Sequence, residues 1–154
     1  MTSLKAGDKA PNFKGENEKG ETIALKDFKG NKLALFFYPK DDTPTCTKEA
    51  CSLRDGYKKL QEKGIAVLGV SPDKAKKHEK FISKYDLPFS LLADTEQEAL
   101  KAYGVWGPKK FMGREYIGVH RTTFLIDEKG KIEHVIEKVV SKDHANQIIA
   151  LLES

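Results

Sequence analysis

Cys46 and Cys51 are the residues with the greatest chemical reach in this sequence, and they are its only two cysteines. With no disulfide scaffold around it, a pair of thiols in a cytosolic chain is more often catalytic or metal-binding than structural. Both lie in the segment Pro39-Lys40-Asp41-Asp42-Thr43-Pro44-Thr45-Cys46-Thr47-Lys48-Glu49-Ala50-Cys51. Thr43-Pro44 is a helix-start signal, an N-cap residue followed by proline at the first helical position. Cys46 then falls in the first turn, where unpaired backbone N–H groups and the positive end of the helix dipole favour a thiolate over a thiol, whose unperturbed pKa is about 8.5. Core packing explains a single small cysteine on an apolar helix stripe. It does not explain a second one five residues later, or the Thr and Pro just upstream.

The spacing also selects among thiol mechanisms. Five residues along an intact helix mean about 7.5 Å of rise and about 140° of rotation, which separates the two Cα atoms by roughly 8.6 Å, beyond the reach of a disulfide. Cys46 and Cys51 can therefore join only after the helix start unwinds. That suits a two-stage cycle, in which a folded-state thiolate attacks an O–O bond, becomes a sulfenic acid and then condenses with the second thiol, releasing water. Such an attack expels an oxygen anion, so the site needs fixed donors or positive charge near it. Thr43 offers a hydroxyl. Arginine stays charged in a partly dry pocket and presents its donors in a fixed fork, and the chain has three, Arg54, Arg114 and Arg121. Arg121 opens a strand expected to lie beside the one that feeds the Cys46 loop, although on residue type and position alone an ordinary strand-end surface charge is the commoner reading there. Arg54 and Arg114 read as surface residues.

The elements that must position these groups are legible in outline. Lys32 to Tyr38 is a nearly continuous apolar run bounded by Gly30-Asn31 and Pro39, as expected of a central strand covered on both faces. From Cys46 the apolar positions Ala50, Leu53, Tyr57 and Leu60 trace one helix face as far as Gly64. Ile65 to Val70 reads as a second buried strand, and Ser71-Pro72 as the start of a helix carrying Phe81, Ile82 and Tyr85. A strand over Phe89 to Leu92 precedes a capping-box pair, Asp94 and Gln97, opening a helix through Tyr103. Gly104, Gly107, Pro108, Gly113 and Gly118 then punctuate what reads as a long connection of the binding or gating kind. Thr122 to Ile126 and Lys131 to Val140 form a hairpin about Asp127-Glu128-Lys129-Gly130, and Ser141 caps a final helix. A short strand over Thr22 to Leu25 stands before all of these. The order β-α-β-α, insertion, β-β-α predicts an α/β thioredoxin-like fold, a central mixed sheet flanked by helices on both faces, with an N-terminal β extension. One domain over residues 1–154 is expected, since nothing resembles a linker or a repeat.

Composition narrows the functional classes. Lys+Arg 27 against Asp+Glu 23 leaves a formal charge of +4 with both signs scattered, a solubility pattern rather than a nucleic-acid footprint. The lysines between Lys74 and Lys84 are interrupted by acidic and apolar residues and have no aromatic platform. No signal-peptide core and no bilayer-length apolar run is present, so a cytoplasmic location without membrane or nucleic-acid partners is expected.

Pro39-x-x-x-Thr43-x-x-Cys46 resembles the active-site signature of peroxiredoxins. The Cys-x4-Cys spacing, Tyr103-Gly104-Val105-Trp106-Gly107 and His120-Arg121-Thr122-Thr123-Phe124-Leu125-Ile126-Asp127 are similar to the bacterioferritin-comigratory-protein (peroxiredoxin Q) subgroup, and the likeness runs over nearly the whole chain. This resemblance implies a peroxidase without metal or haem that reduces hydrogen peroxide and organic hydroperoxides, with thioredoxin or a similar dithiol as reductant, and a monomer. It matches Cys46 to the peroxidatic and Cys51 to the resolving cysteine, joined as an intramolecular disulfide. Thr43 and Arg121 match peroxide-binding residues, Pro39 the residue shielding the pocket, and Glu49 a position that orients the arginine. A thioredoxin-type disulfide oxidoreductase would share the fold but needs a Cys-x-x-Cys, which is absent. A redox sensor on the same fold is the other alternative. A zinc module built on the cysteines with His78, His120, His134 or His144 matches no common ligand spacing.

Overall fold

A computed structural model describes residues 1–153. Its central sheet has seven strands in the order β2-β1-β5-β4-β3-β8-β9, and a separate two-stranded ribbon, β6–β7, stands beside it. The middle of the sheet follows from apolar content. β3 (Lys32–Phe37) and β4 (Ile65–Ser71) are buried almost throughout and pair in parallel, and β5 (Ser90–Ala93) extends the parallel part. β8 (Thr122–Ile126) lies antiparallel to β3 on its other side, with Phe37 opposite Thr122, and β9 (Ile132–Ile136) completes the predicted hairpin. β1 (Lys14–Asn17) and β2 (Thr22–Ala24) form the N-terminal extension, antiparallel to each other and to β5.

Period-two alternation splits the core into two layers. Ala34, Phe36 and Tyr38 face the layer filled by α1 (Pro44–Asp55), α2 (Tyr57–Glu62), α3 (Ala75–Tyr85) and α5 (His144–Glu153). Leu33, Leu35 and Phe37 face the layer of α4 (Glu98–Ala102), Phe13 and Tyr103. No helix among the described residues is long and apolar enough to cross a membrane.

Several boundaries differ from expectation, each for a local reason. The helix begun at Pro44 does not run through to Gly64 but breaks at Gly56. There α5 packs so closely that a Cβ on Gly56 would sit 2.4 Å from the Cβ of Ala145. Ser71 does not start α3; its hydroxyl donates to Asp73, and the helix begins at Ala75. Asp94 caps α4 by accepting the N–H groups of Ala99 and Leu100, whereas Gln97 only turns the chain, at φ 56°. The final helix is reached through a 3-10 turn at Ser141–Asp143, with the His144 N–H bonded to Ser52 Oγ.

The largest correction concerns the glycine-punctuated stretch, which is not a loop. Trp106–Phe111 (β6) and Arg114–Val119 (β7) pair antiparallel, turning at Met112 (φ 50°) and Gly113 (φ 80°). Positive φ at both central residues is the turn whose twist matches a hairpin. Glycines and the exposed Phe111, Met112 and Ile117 hide its alternation.

The Gly56 contact is testable. A Gly-to-Ala change in exposed helix ordinarily gains up to about 1 kcal/mol, but Gly56→Ala should lower the unfolding free energy by roughly 1–3 kcal/mol, the usual cost of overpacking. Denaturant titration of both proteins checks the sign.

Candidate active site

Cys46 occupies the third helical position of α1, at the carboxyl end of β3, where open α/β sheets present their ligands. The first backbone bond of the helix runs from Thr47 N to Thr43 O, 2.8 Å, so the N–H groups of Thr45 and Cys46 precede the ladder. Thr43 is the N-cap residue in extended conformation, but its side chain makes no capping bond; the hydroxyl donates to the Lys40 carbonyl at 2.8 Å. Thr43 thus braces the bend between strand and helix. Pro39, half-buried, begins that bend.

Arg121, immediately before β8, is carried to the site because β8 lies alongside β3. Its Nη2 donates to Cys46 Sγ at 3.1 Å, and its Nη1 donates to Glu49 Oε1 at 2.5 Å. Glu49, one turn after Cys46, is fully buried. One guanidinium thus bridges a sulfur and a carboxylate in the same dry layer, and a positive charge at hydrogen-bond distance stabilises the thiolate. Desolvation raises the Glu49 carboxyl from 4.5 to about 7, although Arg121 pulls the other way. Both directions are physical, and burial is the larger effect because Glu49 Oε2 has no hydrogen-bond partner at all.

Two residues complete the surroundings, His144, weighed from the sequence only as a zinc ligand, and Lys109, which the sequence did not single out. His144 of α5 is fully buried with Nε2 3.6 Å from Glu49 Oε2, and burial holds it down at about 4. Lys109, on the ribbon, donates to the Val119 carbonyl at 2.8 Å. Burial and the nearby Arg121 charge lower its pKa, while Cys46 raises it, which places its ammonium on the site's side of the ribbon. Nothing in their local sequence marks either one, since both arrive by long-range packing.

Cys51 lies on the same unbroken helix as Cys46, and both are free. It is half-buried, and desolvation pushes its thiol up, with Arg54 opposing and Asp55 adding. Arg54 is therefore not an idle surface charge; its Nη1 also donates to the Tyr85 carbonyl at 2.7 Å. Cys46 is only 2% exposed, packed among Tyr38, Ala50 and Leu53. Its sulfur also accepts the Arg121 hydrogen bond, which leaves little of it open to solvent.

A group that could hold a metal lies between the loop before α1 and α3, with donor atoms of Asp41, Asp73 and His78 within 4.8 Å of one another. These atoms are committed to each other and to the chain. Tyr38 Oη donates to Asp41 Oδ1 at 2.5 Å, His78 Nδ1 is 2.6 Å from Asp41 Oδ2, and Asp73 Oδ2 accepts from the Asp41 N–H at 2.7 Å. The cluster ties the loop before Cys46 to α3.

A thioredoxin-like sheet that delivers a cysteine to a helix start, under an arginine and with a second thiol on the same helix, defines a thiol-dependent oxidoreductase. The match to the AhpC/TSA family over residues 6–135 makes the class particular. A putative peroxiredoxin bcp of Haemophilus influenzae is 47% identical over 154 residues, covering 100% of this chain and 99% of that one. Peroxiredoxin Bcp of Escherichia coli K12 is 45% identical over 149 residues, 97% and 96% of the two chains. Among solved structures, the bacterioferritin comigratory protein of Xanthomonas campestris, described for its alkyl peroxide reduction activity, superposes with TM-score 0.87 at 28% identity, covering 99% and 98%. This chain belongs to the AhpC/TSA family, in its Bcp or peroxiredoxin Q branch. It is a peroxiredoxin, a peroxidase that takes a peroxide substrate and a thiol reductant.

The buried carboxyl and imidazole leave opposite marks on stability. Glu49 is raised, so its contribution is present below its unfolded value of 4.5 and lost as the pH climbs through about 7. His144 is lowered from 6.5 to about 4, so its contribution is present above 6.5 and lost as the pH falls through about 4. Their slopes oppose between these limits. Relative to Glu49→Gln, the wild type should lose unfolding free energy as the pH rises through that window, at a limiting slope of about 1.4 kcal/mol per pH unit. Parallel stability curves for the two proteins would contradict the assignment.

Proposed function

We propose that this enzyme reduces hydrogen peroxide and organic hydroperoxides by a two-cysteine cycle within one chain. The Cys46 thiolate attacks the terminal peroxide oxygen in the folded state, forming a sulfenic acid and releasing water or an alcohol. The start of α1 then unwinds, and Cys51 condenses with Cys46 as an intramolecular disulfide, which thioredoxin or a similar dithiol reduces. Acting as a monomer in the cytoplasm, the enzyme needs no metal or haem for these steps.

The observation that carries this reading is the 3.1 Å hydrogen bond from Arg121 to the Cys46 sulfur. It supplies the fixed positive charge that both the thiolate and a departing oxyanion require. Pro39 shields the pocket, Thr43 holds the bend above the helix start and offers its hydroxyl to peroxide, and Glu49 orients Arg121. Cys51, whose thiol is pushed up by burial, stays protonated until unwinding exposes it, which keeps it from competing for oxidant.

Stopped-flow peroxide consumption with mass spectrometry of the products tests the assignment. Cys46→Ser should abolish turnover. Cys51→Ser should react once and accumulate a sulfenic acid at residue 46. Equal residual turnover in the two variants would refute the division of labour.

A further inference from the structure

Glu49 is a buried carboxyl that touches no reacting atom, yet it shares its only cation with the sulfur that reacts. Arg121 faces two groups able to carry negative charge, Cys46 Sγ at 3.1 Å and Glu49 Oε1 at 2.5 Å. The other carboxyl oxygen, Oε2, is sealed from solvent with no donor in reach. What faces it is His144 Nε2, 3.6 Å away, and the surrounding bonds settle the state of that ring. Gln147 Nε2 donates to the Lys138 carbonyl and Gln147 Oε1 accepts the Val140 N–H, which fixes the amide orientation. His144 Nδ1, 2.9 Å from the same Oε1, must therefore carry the proton and donate. The ring is held neutral by burial, so Nε2 is a bare lone pair, accepting the Thr123 hydroxyl at 2.7 Å. Glu49 Oε2 thus looks at an acceptor. That lone pair is taken by Thr123 and lies beyond hydrogen-bond reach, so nothing solvates Oε2; an ionised carboxylate would be left half unsatisfied in a dry layer, which favours a proton on the carboxyl.

Resting on the peroxidase cycle above, we propose that Glu49 carries a proton on Oε2 while Cys46 is a thiolate and gives it up when Cys46 is oxidised, so that the carboxyl stores the proton equivalent the leaving alkoxide needs. The charge count drives the exchange. With the thiolate present, Arg121 cannot fully compensate two buried anions, so one of them binds a proton. Once the sulfur is a neutral sulfenic acid, Arg121 has only Glu49 to pair, and the carboxylate becomes the better form. The step balances as Cys46–S⁻ + R–O–OH + Glu49–COOH giving Cys46–S–OH + R–OH + Glu49–COO⁻. The S–O bond forms as the O–O bond breaks, sulfur loses two electrons and the peroxide gains them. The leaving oxygen takes up the proton that Glu49 releases, whatever its route. The net charge of the dry layer is unchanged, and no proton is drawn from the medium. The other charged groups on this assembly are Arg121 itself and Lys109 across the ribbon, both positive; His144 on α5 is neutral. Glu49 is a positioning residue here, acting on the sulfur through the charge of Arg121.

Infrared difference spectroscopy of the Cys51→Ser protein, before and after one equivalent of hydroperoxide, tests this. The measurement is made about one pH unit below the Glu49 value of about 7, with mass spectrometry on the same sample. The expected spectrum shows loss of a protonated-carboxyl C=O stretch and gain of a carboxylate band, one per sulfenic acid formed, and neither band in Cys51→Ser/Glu49→Gln. Should that double variant fail to fold, the pH midpoint of the carboxyl band in Cys51→Ser decides instead: it should fall on oxidation. Sulfenic acid formed with no carboxyl change would overturn the proton store and leave the peroxidase cycle intact. Failure to form sulfenic acid would overturn the cycle itself.

Discussion

One guanidinium organises this site. Arg121 is the cation that reaches Cys46, and it does so while paired with a carboxylate in the same buried layer. Removing an anion's partner in a dry interior is far more costly than forming the pair is favourable. Everything that places Arg121 therefore shapes the candidate site. β8 must lie against β3 so that Arg121 emerges beside the helix start. α1 must turn Glu49 to the same face as Cys46, one turn apart. α5 must close the back of the cluster with an imidazole rather than a charge.

A second constraint acts on the thiols. The helix that gives Cys46 its environment also holds it away from Cys51, so the arrangement suited to attack on peroxide excludes the disulfide. The proposed two-cysteine cycle then asks for a helix start that forms readily and opens readily. The chain meets both demands locally. Pro44 presets the first turn without requiring an N–H partner, while the Thr43 hydroxyl, spent on Lys40, adds no capping bond to the one its carbonyl accepts from the Thr47 N–H. Behind the loop, the Asp41, Asp73 and His78 cluster fastens the residues that lead into the helix start.

Much of this was legible in the sequence, and the physical reason is proximity. The buried strands β3, β4 and β8 announce themselves through continuous apolar runs, the helix start through Thr43-Pro44, and the thiol pair through its spacing. The resemblance to peroxiredoxins drew Arg121 and Glu49 into view before any distance was known. What stayed hidden depends on partners far along the chain. Gly56 breaks the helix because Ala145, from the last element, presses on it. The ribbon was mistaken for a loop because glycines interrupt its alternation and its outward apolar residues face solvent. His144 gave no sign of joining the site, since only packing of α5 against α1 brings it to Glu49. The burial of Cys46 was likewise invisible, because the burial of a first-turn residue depends on what the other strands carry over it.

The account stands on the bond between Arg121 and the Cys46 sulfur, and the second-order rate of Cys46 oxidation reads it directly. With Cys51→Ser as the background, so that a single step is observed, Arg121→Lys keeps a charge but loses the fork that spans sulfur and carboxylate. The rate with hydroperoxide should fall roughly 10²–10³-fold, the scale for losing one preorganised donor at a developing oxyanion. An unchanged rate in a variant that folds as the parent does would show that the sulfur draws its reactivity from elsewhere.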